Sequence, residues 1–149
     1  MVQVIVTKQA KHASAAFLWD KLASYSDMSW HPGVISSKNT GSIPDGSANM
    51  IGAERLLVNS SGKELLETVT AWSDKERYYA CSIDKGAPPI AREMIITFRV
   101  REEGSKVLVD MIVDLELKAF VACLAPLLKV VLGKKLGGFV DGIADLKEV

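Results

Sequence analysis

The sequence predicts an α+β domain in which a seven-stranded, curved antiparallel sheet wraps around a long C-terminal helix, with one or two short helices after the first strand. Two observations carry that prediction. Leu132, Leu136, Phe139, Ile143 and Leu146 recur at alternating steps of four and three, which is one apolar helical stripe. Upstream, Met94, Ile96, Phe98 and Val100 alternate with Glu93, Thr97, Arg99 and Arg101, and Val107 to Leu115 alternate in the same way with Asp110 and Asp114. Such strands have one dry and one wet face, the pattern of an antiparallel sheet covered on one side. A helix with one apolar face needs a surface to lie on, and these strands supply it.

The elements follow in order. Val2, Val4 and Val6 alternate within a β-branched run that reads as the first strand. Ser14 is suited to cap a helix that runs to about Ser24 and buries Phe17, Leu18, Leu22 and Tyr25, with Trp19 in or beside that face. Pro32 disfavours helix at His31 and Gly33 permits a turn, so the next strand spans 34–40. Pro44-Asp45-Gly46 is a turn. Strands at 52–59 and 63–72 form a hairpin about Ser60-Ser61-Gly62, a strand at 77–84 is closed by Gly86 to Pro89, and two long strands, 91–102 and 105–117, meet at Glu103-Gly104. Pro126 costs about 3 kcal/mol inside a helix and little in a first turn. The main helix is therefore expected to start near Pro126, with 118–125 a loop or separate turn. Gly133, Gly137, Gly138 and Gly142 each cost a helix about 1 kcal/mol and imply close approach to the sheet or a bend.

At 149 residues the chain is expected to form one domain, 1–149, with one core and no linker. Lys plus Arg and Asp plus Glu each number 18, so the formal charge is zero and nucleic acid is not an expected partner. Cys81 and Cys123 read as reduced, buried small hydrophobes of a cytoplasmic protein. No secretory leader pattern precedes the first strand. The longest uncharged apolar stretch, 119–128, is ten residues against roughly 20 for a bilayer span. Two histidines, no zinc-binding spacing and no phosphate loop leave no metal or cofactor expected.

Trp30-His31-Pro32-Gly33-Val34, then Gly52-Ala-Glu-Arg55-Leu56-Leu57, then Gly62 with Leu65-Leu66-Glu67-Thr68-Val69, followed by Asp74, Tyr79, Gly86 and Pro88-Pro89, stand in an order that resembles the polyketide cyclase/dehydratase-like branch of the START-like (SRPBCC), birch-pollen-allergen-like superfamily. The resemblance spans the chain and implies a helix-grip fold enclosing an apolar cavity. Its members bind lipids, sterols, hormones or polyketides, and some cyclise or dehydrate polyketides. The loops 60–62 and 86–89 correspond in place to the entrance loops of the related plant hormone receptors, but the first lacks the Leu-Pro-Ala found there.

Glu67 is the first candidate for function. By alternation it shares a face with Leu65, Val69 and Ala71, so it either meets a ligand from the cavity wall or pairs with Arg55 across the hairpin. The resemblance places a similar Glu in the receptors' pocket. His31, where those receptors carry a ligand-anchoring Lys, is either a proton donor and acceptor or a solvent-facing turn residue beside Trp30. Asn59, Tyr79, Cys81, Met94, Phe98, Met111 and Val113, with Leu128 and Leu132 from the helix, form the expected wall. The leading expectation is a binder of a small, mainly hydrophobic molecule. One alternative is a polyketide cyclase/dehydratase using Glu67 or His31 for proton transfer. Another is a chaperone-like interaction protein that uses the apolar segment 120–132, which also has the composition to touch a membrane or a second subunit. Stable membrane insertion is not expected, and the chain reads as a monomer or homodimer.

Overall fold

The computed structural model describes residues 1–148. Its order is β1 (Val2–Ala10), α1 (Ala15–Ala23), β2 (Val34–Asn39), β3 (Glu54–Asn59), β4 (Glu64–Ser73), β5 (Tyr78–Lys85), β6 (Ala91–Glu103), β7 (Lys106–Leu117), a 3-10 turn (Ala119–Leu124) and α2 (Ala125–Ala144). The seven strands form one antiparallel sheet in the order β1-β7-β6-β5-β4-β3-β2. Consecutive hairpins build six of them, and β1 closes the far edge by pairing with β7, Val2 opposite Leu115 through Ala10 opposite Val107.

Alternation assigns the faces. Val4 on β1, Phe98 and Val100 on β6, and Val109 to Leu115 at every second residue of β7 are buried toward the helices. Asp110 points the other way yet is fully buried. Its register partners Thr7 and Arg99 meet it there: Thr7 Oγ1 donates to Oδ1 at 2.6 Å, and Arg99 Nη2 and Arg101 Nε lie 2.8 Å from Oδ2. Burial works against this carboxylate's charge, but the hydrogen bonds from Arg101, Thr7 and Arg99 outweigh it and hold Asp110 below the usual carboxylate range.

Ser14 caps α1, its Oγ accepting from the Phe17 amide at 3.2 Å. The helix buries Leu18, Trp19 and Leu22 and packs against β6. The segment after β7 divides as its proline dictates: the 3-10 turn ends at Leu124, and α2 begins at Ala125 with Pro126 in its first turn. The helix lies along β1 and β7. Its second half buries Leu136, Val140 and Ile143, while Leu132 and Phe139 are partly covered.

The four helix glycines are not equivalent. A Cβ at Gly142 would overlap the carbonyl oxygen of Trp30 and come 2.7 Å from Pro32 Cδ, so this glycine lets α2 close on the α1–β2 connection rather than on the sheet. Gly137 makes ordinary contact with Lys8, and nothing lies within 4 Å of a Cβ at Gly133 or Gly138. The expected close approach to the sheet is therefore not what these glycines serve: the tight contact, at Gly142, is with the α1–β2 connection, and of the four only Gly137 meets the sheet, at ordinary distance from Lys8.

Candidate functional site

Arg55 on β3 and Glu67 on β4 stand directly opposite one another in the hairpin register, and both are buried by the sheet's inner face. Arg55 Nε donates to Glu67 Oε2 at 2.7 Å and Nη2 lies 2.6 Å from the same oxygen. The third arm, Nη1, donates to the backbone carbonyl of Tyr25 at 2.7 Å and approaches the Tyr79 hydroxyl at 3.4 Å. The guanidinium carbon sits 4.2 Å from the centroid of the Tyr25 ring, which adds a cation–π contact. Burial disfavours the cation, yet Glu67 outweighs that cost and holds the Arg55 pKa above its ordinary value.

An aromatic cage surrounds the pair. Tyr25 and Tyr79 meet edge to face at 5.6 Å, and Trp72 stacks on Tyr79 at 5.4 Å. Trp19 lies against Trp72, and its Nε1 donates to Asp74 Oδ1 at 3.2 Å. The Tyr25 hydroxyl and Cys81 Sγ are 3.4 Å apart. Burial pushes the Cys81 thiol up to about 12, against the opposing pull of Arg55, so it is a neutral thiol. The expected burial of the two cysteines holds at Cys81 and fails at Cys123, which is exposed. Both tyrosines are raised by the same burial and remain protonated.

His31 is beside this centre rather than in it. Its ring packs on Phe139 of α2 at 4.4 Å and on Trp30 at 5.4 Å, and Nδ1 accepts from the Gly33 amide at 3.0 Å. Burial, reinforced by the Arg55 charge, lowers its pKa to about 4, so near neutrality it is an uncharged imidazole whose remaining donor is Nε2–H. Trp30 packs edge to face on Phe98. The indole Nε1 groups of Trp30 and Trp72 are buried without an acceptor among the described residues.

Glu67, Arg55, Tyr79 and Cys81 thus form one cluster, with Phe98 against Tyr79 and with Met111 and Val113 buried on the same face. Asn59 does not join it. Its Oδ1 accepts from the Ser61 and Lys63 amides and so closes the β3–β4 turn. Tyr25 and Trp72 are members that sequence reasoning did not assign. Tyr25 lies just beyond the end of α1, where backbone carbonyls lack helical partners, and Arg55 takes one of them. Trp72 is brought inward by a register shift between Val69 and Ala71, which sets Val69 opposite Cys81 and Trp72 opposite Tyr79. Ala71, expected on the Glu67 face, consequently lies on the other one.

The inner face is closed at one end and open at the other. Around Tyr25, Tyr79, Phe98 and Met111 burial is complete or nearly so. Toward the β5–β6 loop and the start of α2, the inward residues Leu65, Met94, Ile96 and Leu117 are only partly covered, as are Leu128 and Leu132 of the helix. The cause is the position of α2, which follows β1 and β7 and leaves the ends of β4 to β6 without a roof. Surface recesses of about 230 and 490 Å³ border β2 and the turn at Ser26, and neither is lined by a residue named above as a site candidate.

A curved seven-stranded sheet gripping a C-terminal helix, with its polar centre on the inner face, defines a START-like protein. The chain belongs to the family described as polyketide cyclase / dehydrase and lipid transport, which matches residues 1–148. No curated protein matches it in sequence. Among solved structures it is similar to the protein XoxI from Bacillus cereus, with 20% identity over 97% of this chain and 94% of that one, at a TM-score of 0.76. It is also similar to a START superfamily protein from Mycobacterium smegmatis, with 17% identity, coverage of 97% and 95%, and a TM-score of 0.72. Ginseng major latex-like protein 151 from Panax ginseng aligns at 15% identity over 90% and 95%, with a TM-score of 0.60. At such identities the likeness is one of fold.

Proposed function

We propose that this protein binds a small, mainly apolar molecule of lipid, polyketide or isoprenoid type on the inner face of the sheet, beneath the first half of α2. The observation that carries the reading is the incomplete cover over Leu65, Met94, Ile96 and Leu117, next to a fully closed aromatic floor. Leu128 and Leu132 supply the helix side of the wall. Exposing apolar side chains on a concave surface costs about 25 cal/mol per Å², a cost that an apolar ligand removes. Both Arg55 contacts converge on Glu67 Oε2, which leaves Oε1 to accept from a ligand hydroxyl.

Binding is favoured over catalysis by the state of the candidate proton-transfer groups. Glu67 is ion-paired with Arg55, and His31 is turned into a hydrogen bond with its own turn. Neither is an unpartnered base: Arg55 holds one oxygen of Glu67, and the Gly33 amide occupies His31 Nδ1. Native mass spectrometry of freshly purified protein, with organic extraction of what it carries, tests the proposal. An apolar molecule is expected, and Ile96→Trp, which adds bulk at the open end and leaves both members of the Arg55–Glu67 pair in the chain, should reduce its occupancy. A protein that carries nothing and takes up no fluorescent apolar probe would overturn the reading.

A further inference from the structure

The outer face of the 3-10 turn and of the first turns of α2 is apolar although nothing in the fold covers it. Phe120 is 77% exposed, Leu127 62%, Val130 58%, Val131 55% and Leu124 47%. Within α2, Val130 and Val131 lie three and four residues beyond Leu127 and therefore share one helical face with it, on the side away from Leu132 and Leu136. This is not the wall of the ligand site. It is a contiguous exposed apolar surface, of the kind that marks an interaction site.

The charges within the segment are of one sign. From Lys118 to Lys135 the chain carries Lys118, Lys129, Lys134 and Lys135 and no carboxylate. The last three are exposed, and Lys134 lies seven residues beyond Leu127 on the same face. At the adjoining strand ends, Glu64 and Glu116 are engaged by Lys85 at 3.3 Å and Arg92 at 3.8 Å. An exposed 3-10 turn and helix start with Phe, Leu and Val outward and lysines around them are built to lie in a bilayer interface, with the apolar side chains among the acyl chains and the cations at the headgroups. A second copy of the chain fits this surface less well. A two-fold contact would set the patch against itself, bringing lysines toward lysines with no acid in the segment to pair with them.

We propose that residues 120–135 form a docking surface for an anionic lipid bilayer, and that α2 seats on it reversibly by its outer face. No helix among the described residues is long and apolar enough to cross a membrane, so contact is at the surface. The proposal is independent of the ligand reading, because Phe120, Leu127 and Val131 face away from the ligand site.

Flotation with vesicles of phosphatidylcholine alone and of phosphatidylcholine mixed with phosphatidylserine tests it. The full chain is expected to float with the phosphatidylserine vesicles, less so as salt is raised. Leu127→Asp/Val131→Asp should abolish flotation, and Lys134→Ala/Lys135→Ala should weaken partitioning by about fivefold for each lysine removed. These positions are exposed, and unchanged thermal melting will show that the variants are folded. Absence of flotation, or equal flotation with the two vesicle types, overturns the proposal. So does a concentration-dependent dimer that Leu127→Asp/Val131→Asp dissolves, since that would give the surface to a second copy.

Discussion

Arg55 and Glu67 are buried to 1% and 4% exposure, and each is the other's counter-charge. Desolvating two ions costs several kcal/mol apiece, and their attraction together with the Tyr25 carbonyl and ring offsets that cost. The arrangement is therefore sensitive to removal of one partner and tolerant of removal of both. Glu67→Leu leaves the guanidinium uncompensated inside the aromatic cage and is expected to lower unfolding stability by about 3–5 kcal/mol. Arg55→Met/Glu67→Leu, which replaces the pair with apolar groups, should recover most of that loss. Urea denaturation of the two variants checks the prediction, and a double variant as unstable as the single would show that the pair's other contacts dominate. The same reasoning explains why loss of a ligand in Glu67→Leu alone would be ambiguous between a lost contact and a disturbed floor.

At the scale of the element, α2 holds two kinds of glycine whose substitution should have opposite signs. Gly133→Ala and Gly138→Ala meet open space, so the helix gains the propensity of alanine, up to about 1 kcal/mol each. Gly142→Ala gains the same propensity but drives a methyl into the Trp30 carbonyl and the Pro32 ring, and should be destabilising overall. Thermal melts of the three single variants read the signs directly, and a stabilising Gly142→Ala would mean that the α1–β2 connection yields easily. The difference between these glycines could not be read from the sequence, because it depends on what packs across from each. Local periodicity did make the elements legible: the strand expected at 63–72 runs from Glu64 to Ser73, and the helix expected near Pro126 starts at Ala125. The Arg55–Glu67 pairing was also within reach, since a tight hairpin about Ser60 to Gly62 sets the two side chains opposite one another. Trp72 was not, because a register shift reverses its face, and Asn59 was not, because its amide serves the turn. Alternation predicts a face only while the ladder is unbroken.

For the whole molecule, the closed end, where burial is complete, is separate from the open end to which the ligand proposal refers. The closed end, where α1, Trp30 and the second half of α2 meet the sheet, contains groups whose charge states depend on the native packing. His31 has a folded pKa of about 4 against an unfolded value of about 6.5. The folded state therefore binds fewer protons than the unfolded one between those values, so this contribution to stability is complete above about pH 6.5 and declines as pH falls to about 4. Asp110 acts in the same direction at lower pH. Its carboxylate is held below the usual range by Arg101, Thr7 and Arg99, and it must be protonated before that network is lost. Stability should accordingly fall in two stages on acidification, the first from His31 and the second from Asp110. Urea midpoints measured across the acid range should show the first stage flattened in His31→Gln and the second retained. An unchanged slope between about pH 6.5 and 4 in that variant would show that the imidazole is accessible to protons in the folded state, and that the packing of Phe139 and Trp30 upon it opens more readily than their contacts indicate.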